Sequence, residues 1–219
     1  MPQLPLRQLL EEMAHQPKLV SFPTDTVPAL AARPEHAELI YAAKRRPPEK
    51  PLILMGASLI DLLPYVAGSP HEQAIWQAVV RQHWPGQLTL VLPASAIAPK
   101  TLNPQTSTPQ ISKAQISKAQ TSHGQPAGTQ LNTLGIRVPN HPVALELLSH
   151  TGPLATTSAN ISGQPPLTSW ADITQTFPDI LTPPVDTFEQ ADEISGQPST
   201  VIKWTGDDWQ VLRQGKVKL

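Results

Sequence analysis

The sequence predicts one α/β domain, and three observations carry that reading. Short apolar runs bounded by proline and glycine alternate with segments whose apolar residues recur at helical spacing. At 219 residues the chain is long enough to bury one such core. Its basic and hydroxyl-bearing clusters fall beside the ends of strands, where open α/β sheets bind ligands.

The elements follow in order. Leu6, Leu9, Leu10 and Met13 predict a first helix ending near Gln16-Pro17, and Leu19 to Phe22 reads as a short strand running into Pro23-Thr24-Asp25-Thr26. Leu39, Ile40 and Ala43 give a second helix from about Pro34 to Arg45, stopped by Pro47 and Pro48. Pro51 to Met55 is a buried strand. Ser58 caps a helix through Leu62 and Leu63, and another runs from about Pro70 to His83 with Ile75, Val79 and Val80 inward. Leu88 to Leu92 and Leu134 to Val138 are strands. A helix through Val143, Leu145, Leu147 and Leu148 ends before Gly152, and Pro153 to Thr157 is the strand that follows. Thr200 to Trp204 and Trp209 to Arg213 flank Thr205-Gly206-Asp207-Asp208, a hairpin signal.

The stretch from about 104 to 130 differs in kind. It has no acid and no aromatic, and it repeats Ile111-Ser112-Lys113-Ala114-Gln115 as Ile116-Ser117-Lys118-Ala119-Gln120. Such a composition buries too little apolar surface to offset ordering entropy, so a mobile insert in a single domain spanning 1–219 is expected.

Composition excludes several classes of function. The net charge of −1 is not that of a nucleic-acid coat, so any RNA contact is weak and local. The absence of cysteine removes disulfides, thiolate metal sites and cysteine nucleophiles. The seven histidines show no H-x-x-x-H or H-E-x-x-H spacing, so no metal site is expected. There is no P-loop, no G-x-G-x-x-G and no G-x-S-x-G. No signal peptide opens the chain and no apolar run nears the roughly 20 residues of a membrane span, so a cytoplasmic address is the expectation.

Four short motifs carry chemistry. Lys44 and Arg46 flank one position at a helix end, with Lys50 close behind, and dispersed charge of this kind suits a phosphate chain. Taken alone, such cations are ordinary at a helix C-terminus, where the dipole favours them. Ser158 and Asn160 alternate after a strand, where in extended backbone both share one face. Gly163 beside them would allow close backbone approach. Arg137 sits between Ile136 and Val138 in a short strand, where its planar fork could clamp a ligand carboxylate or pair with a structural acid. Thr24, Asp25 and Thr26 end another strand. The order of these matches is more specific than any one of them.

Together with Trp84-Pro85-Gly86-Gln87-Leu88-Thr89, Pro198-Ser199-Thr200-Val201 and Leu212-Arg213-Gln214-Gly215, this set closely resembles the YrdC-like family, whose characterised members are threonylcarbamoyl-AMP synthases of tRNA modification. The resemblance runs through most of the chain outside the insert. Asp25 stands where the family more often has Glu, and Pro28 and Ala29 stand where it usually shows an aromatic and a glycine.

The resemblance implies a twisted mixed sheet with helices on its outer side and a positively lined concave face. It implies a nucleotidyltransferase that joins L-threonine, bicarbonate or CO2, and ATP into threonylcarbamoyl-AMP and pyrophosphate, with Lys44 and Arg46 as catalytic residues. Lys44, Arg46, Lys50, Thr133, Ser158, Asn160 and Arg213 would contact ATP, while Thr26, Arg137, Thr156 and Ser199 would surround threonine. Mg2+ would ride on the phosphates. The product would pass to a tRNA threonylcarbamoyl transferase that acts beside the anticodon. The competing expectation is a YrdC-like RNA-binding or ribosome-assembly factor that makes no adenylate.

Overall fold

A computed structural model describes residues 4–103, 132–184 and 195–219. The insert expected at 104–130 lies outside them. Eight strands form one mixed sheet in the order β1-β2-β6-β3-β5-β4-β7-β8. They are β1 Val20–Phe22, β2 Ala29–Ala32, β3 Ile53–Met55, β4 Leu88–Pro93, β5 Thr133–Arg137, β6 Leu154–Ser158, β7 Thr200–Trp204 and β8 Trp209–Arg213. The helices are α1 Leu6–His15, α2 Glu38–Lys44, α3 Leu59–Leu62, α4 Pro70–His83, α5 Pro142–Thr151 and α6 Trp170–Thr176. Parallel pairs β3–β5 and β4–β7 sit among antiparallel ones, as a mixed sheet requires.

Local chemistry explains most element boundaries. Ser58 and Ser69 each cap a helix: their Oγ atoms accept the backbone N–H of Asp61 and Glu72, three residues on, whose carboxylates accept the serine N–H in return. These are capping boxes, and they satisfy backbone donors that a helix start would otherwise leave unpaired. The second helix is shorter than its sequence suggests, because Pro34–His36 forms a 3-10 turn before α2 begins at Glu38. Arg45 closes α2 in the left-handed region at φ 49°, which turns the chain so that Lys44 and Arg46 diverge.

Two elements carry no strong signal of their own. β2 is Ala29-Leu30-Ala31-Ala32, without a β-branched residue, and it is extended because β1 and β6 pair with it on both sides. α6 follows the cap at Ser169 and buries only Ile173.

The main core lies on one face of the sheet. Leu30, Leu54, Ile136, Ala155 and Ile202 point into it and meet Ile40 of α2, Leu62 of α3, and Trp76 and Val80 of α4. A second cluster occupies the β1–β2 end of the other face, where Leu9 and Met13 of α1 meet Leu147 and Leu148 of α5 over Phe22, Ala29 and Leu154. The rest of that face is concave and open.

Candidate active site

Pairing register fixes what the concave face displays, since residues opposite one another in a ladder share a face. One row crosses the sheet as Thr156, Ile53, Gly135, Val91, Lys203 and Gln210. Two residues along each central strand lie Arg137, Thr89 and Val201, with Arg213 paired to Val201. These residues line a cavity of about 480 Å³. Gly135 serves it by what it lacks, because a Cβ there would stand 2.8 Å from Ile53 Cγ2.

Arg137 anchors one end. Its Nη2 donates to Asp25 Oδ1 at 2.7 Å, its Nη1 to Thr26 Oγ1 at 2.9 Å and its Nε to the Gly86 carbonyl at 3.0 Å. The structure therefore realises the structural-acid pairing, and two of the five guanidinium N–H groups have no partner among the described residues. Burial pushes the Arg137 pKa down, while Asp25 counters by favouring the charged form. The Trp84–Thr89 motif scaffolds this corner. Gly86 supplies the carbonyl, Gln87 Nε2 donates to the Asp25 carbonyl at 2.9 Å, and Thr89 Oγ1 lies 2.8 Å from Ser199 Oγ. Thr24 Oγ1 donates to the Val27 carbonyl at 2.7 Å and accepts the Thr26 N–H, which holds Thr26 Oγ1 towards Arg137.

The basic cluster divides. Arg46 lines the cavity with its guanidinium held by the carbonyls of Lys50 and Pro51, each at 2.9 Å. Lys44 is buried behind the wall, where its Nζ donates to the Ser158 carbonyl and, at 2.9 Å, to Asn160 Oδ1. Desolvation, aided by the nearby Arg46 charge, lowers the Lys44 pKa to about 7. Asn160 is committed as well, its Nδ2 donating to the carbonyls of Ile161 and Gln164. β6 ends at Ser158, so Ser158 and Asn160 do not share an extended face. The chain turns, Asn160 points inward, and Ser158 Oγ donates to Asn160 Oδ1 at 2.6 Å.

Thr26, Arg46, Thr133, Arg137, Thr156, Ser158, Ser199 and Arg213, eight of the sequence-predicted site residues, line the one cavity. Lys44, Asn160 and Lys50 stand outside its lining, and Lys50 is exposed. Arg213 reaches back to Ser199, donating to its carbonyl at 3.0 Å and to its Oγ at 3.2 Å. Gly163 adopts φ 87° with open space around its Cβ position, so its freedom serves a turn rather than a close approach. Sequence reading missed Thr89, Lys203 and Gln210. The period-2 alternation of β7 signalled Lys203, because Thr200, Ile202 and Trp204 take the buried face.

A family model described as telomere recombination, for Sua5, YciO and YrdC, matches residues 12–215. The chain belongs to the Sua5/YciO/YrdC family. A protein of Pyrococcus abyssi (strain GE5 / Orsay) named threonylcarbamoyl-AMP synthase is 33% identical over 206 residues, covering 92% of this chain and 52% of the relative. One of the same name from Klebsiella pneumoniae is 31% identical over 165 residues, covering 74% of this chain and 73% of the relative. Among solved structures, P. abyssi Sua5 complexed with L-threonine superposes with a TM-score of 0.73 at 30% identity, covering 95% of this chain and 53% of that one. This Sua5/YciO/YrdC chain thus spans about half the length of the Pyrococcus protein it matches. The departures at Pro28 and Ala29 leave the family's sheet intact here: Ala29 pairs with Ser158 and lines the cavity, and the Pro28 carbonyl accepts the Ala159 N–H.

Proposed function

We propose that the cavity is a nucleotidyltransferase site that makes threonylcarbamoyl-AMP from L-threonine, CO2 or bicarbonate, and ATP. The threonine amine attacks the CO2 carbon and loses a proton, giving a carbamate. A carbamate oxygen then attacks the α-phosphorus, the bond from that phosphorus to the bridging oxygen breaks, and pyrophosphate leaves. No protein nucleophile is needed, so the site works by alignment and by stabilising charge.

One observation carries this reading: a single concavity joins a buried Arg137–Thr26 corner fit for an amino-acid carboxylate to a wall bearing Arg46, Arg213, Ser158 and Thr133, fit for phosphates. Thr156 and Ser199 line the same cavity and would complete the threonine pocket. Lys44 supports the phosphate wall from behind by holding Ser158 and Asn160 in place. The names of the relatives favour this reading over RNA binding or ribosome assembly.

Among the described residues no three His, Cys, Asp or Glu side chains gather as a metal cage. Mg2+ would accordingly enter on the ATP phosphates and offset their charge there. The product, a reactive mixed anhydride, would pass to a tRNA threonylcarbamoyl transferase in the cytoplasm, with only weak RNA contact by this chain. Pyrophosphate release that requires both threonine and bicarbonate tests the reading. Release without threonine, or RNA binding without release, would overturn it.

A further inference from the structure

The cavity is lined by four cationic side chains, Arg46, Arg137, Lys203 and Arg213, and no Asp or Glu among the described residues lines it. The three arginines are engaged with protein oxygens: Arg137 with Asp25, Thr26 and Gly86, Arg46 with two carbonyls, and Arg213 with Ser199. The Lys203 ammonium has no hydrogen-bond or ion-pair partner among the described residues. Its placement is fixed by register, since β7 buries Thr200, Ile202 and Trp204 and turns Val201 and Lys203 towards the cavity. Gln210, its partner across the β7–β8 hairpin, lines the same wall and adds an amide beside it.

We infer that Lys203 is a further phosphate-binding residue of this site, contacting the β- or γ-phosphate of the nucleotide from the wall opposite Arg46. The inference rests on the adenylate-forming reading above. The Arg46 guanidinium is held at Pro51, beside the start of β3, and β7 lies three strands away in the sheet. At about 4.8 Å per strand the two backbones stand about 14 Å apart, a gap that two long side chains and a polyphosphate between them can fill. The amino-acid carboxylate is served elsewhere: Arg137 occupies the next row, about 7 Å along the strands, with its own donors. A lysine is a mobile point charge, suited to a phosphate that changes position as pyrophosphate departs, whereas a carboxylate clamp calls for a planar fork.

Isothermal titration of the purified chain with ATP, inorganic pyrophosphate, AMP and L-threonine tests the assignment. Lys203→Ala should weaken ATP and pyrophosphate about tenfold or more, as expected for loss of a charge-assisted contact. AMP and threonine should bind as to wild type, and Lys203→Arg should recover most of the loss. Unchanged ATP affinity, an equal loss for AMP, or a loss for threonine alone would overturn the assignment. If the wild type binds no nucleotide, the adenylate reading falls and this inference with it. If the wild type turns over and Lys203→Ala binds ATP equally well, this inference alone fails. The side chain faces the cavity rather than the core, and thermal melting verifies that the variant is folded. Should Lys203→Ala melt early, Lys203→Gln keeps the length of the side chain without its charge and is read by the same titrations.

Discussion

Two buried cations flank the cavity, and their surroundings differ in one respect. Arg137 has a carboxylate partner, with Asp25 Oδ1 at 2.7 Å, while Lys44 has only the neutral oxygens of Ser158 and Asn160. Both groups have lost water almost completely, at 4% and 1% exposure. Burying a charge is costly unless an opposite charge and good hydrogen bonds replace the water. At the Arg137 corner a carboxylate and two further oxygens supply that replacement, which holds a charged guanidinium in one orientation beside the cavity. At the Lys44 wall it is partial, and desolvation lowers the amine's pKa to about 7. The protein therefore sets a carboxylate-paired charge at one end of its site and two half-buried cations without a carboxylate partner, Arg46 and Lys203, at the other.

Removing the acid is the most damaging way to break this contrast. Asp25→Asn would leave the Arg137 charge uncompensated, at a cost of about 3 to 5 kcal/mol in urea denaturation. A loss below about 1 kcal/mol, as for a solvent-screened surface pair, would mean that water reaches the corner.

The Lys44 end should show itself through pH. Unfolded, the lysine titrates near 10.5, and folded near about 7. Between those values the unfolded chain binds the extra proton, so stability should rise by a few kcal/mol as pH climbs from about 7 to about 10.5. Below about 7 both states are protonated, and the cost of burying the ammonium is felt in full. The wild-type curve measured against Lys44→Met isolates this group. A flat difference across the window would show that Lys44 keeps its charge when folded.

Arg46 lies on the cavity side and is bonded only to carbonyls, so Arg46→Ala should spare the fold. Pyrophosphate release should fall about ten- to a hundredfold, as expected for losing one charged contact at 1.5 to 3 kcal/mol. Steady-state rates at wild-type levels in the folded variant would remove Arg46 from the phosphate site. The smallest effect sharpens the other end. Arg137→Lys keeps the charge and loses the fork, and should raise the KM for threonine about tenfold while that for ATP moves little. Equal changes for both substrates would show that Arg137 only buttresses the fold.

How much of this was legible depended on the range of the signal. The capping serines at 58 and 69, the proline stops after Lys44 and the Thr205–Asp208 hairpin all act within a few residues, and the observed elements keep close to them. β2 gave no such signal, because an alanine-rich run becomes a strand only when neighbouring strands take up its backbone groups. The pairing of Ser158 with Asn160 was readable as a motif but not as geometry, since the strand ends between them and the asparagine turns onto Lys44.

By itself the sequence determined the α/β class, the order of most elements and the types of side chain gathered around strand ends, because periodicity, caps and turn residues are local properties. Only the tertiary structure decided which charges meet. Lys44 reaches Asn160 across 116 positions and Arg137 reaches Asp25 across 112, through a sheet in which four of the seven neighbouring strand pairs are not consecutive in sequence. Whether a cation is neutralised, desolvated or left facing a ligand is set by the groups within a few ångströms of it in the low-dielectric interior, and those groups are chosen by the fold.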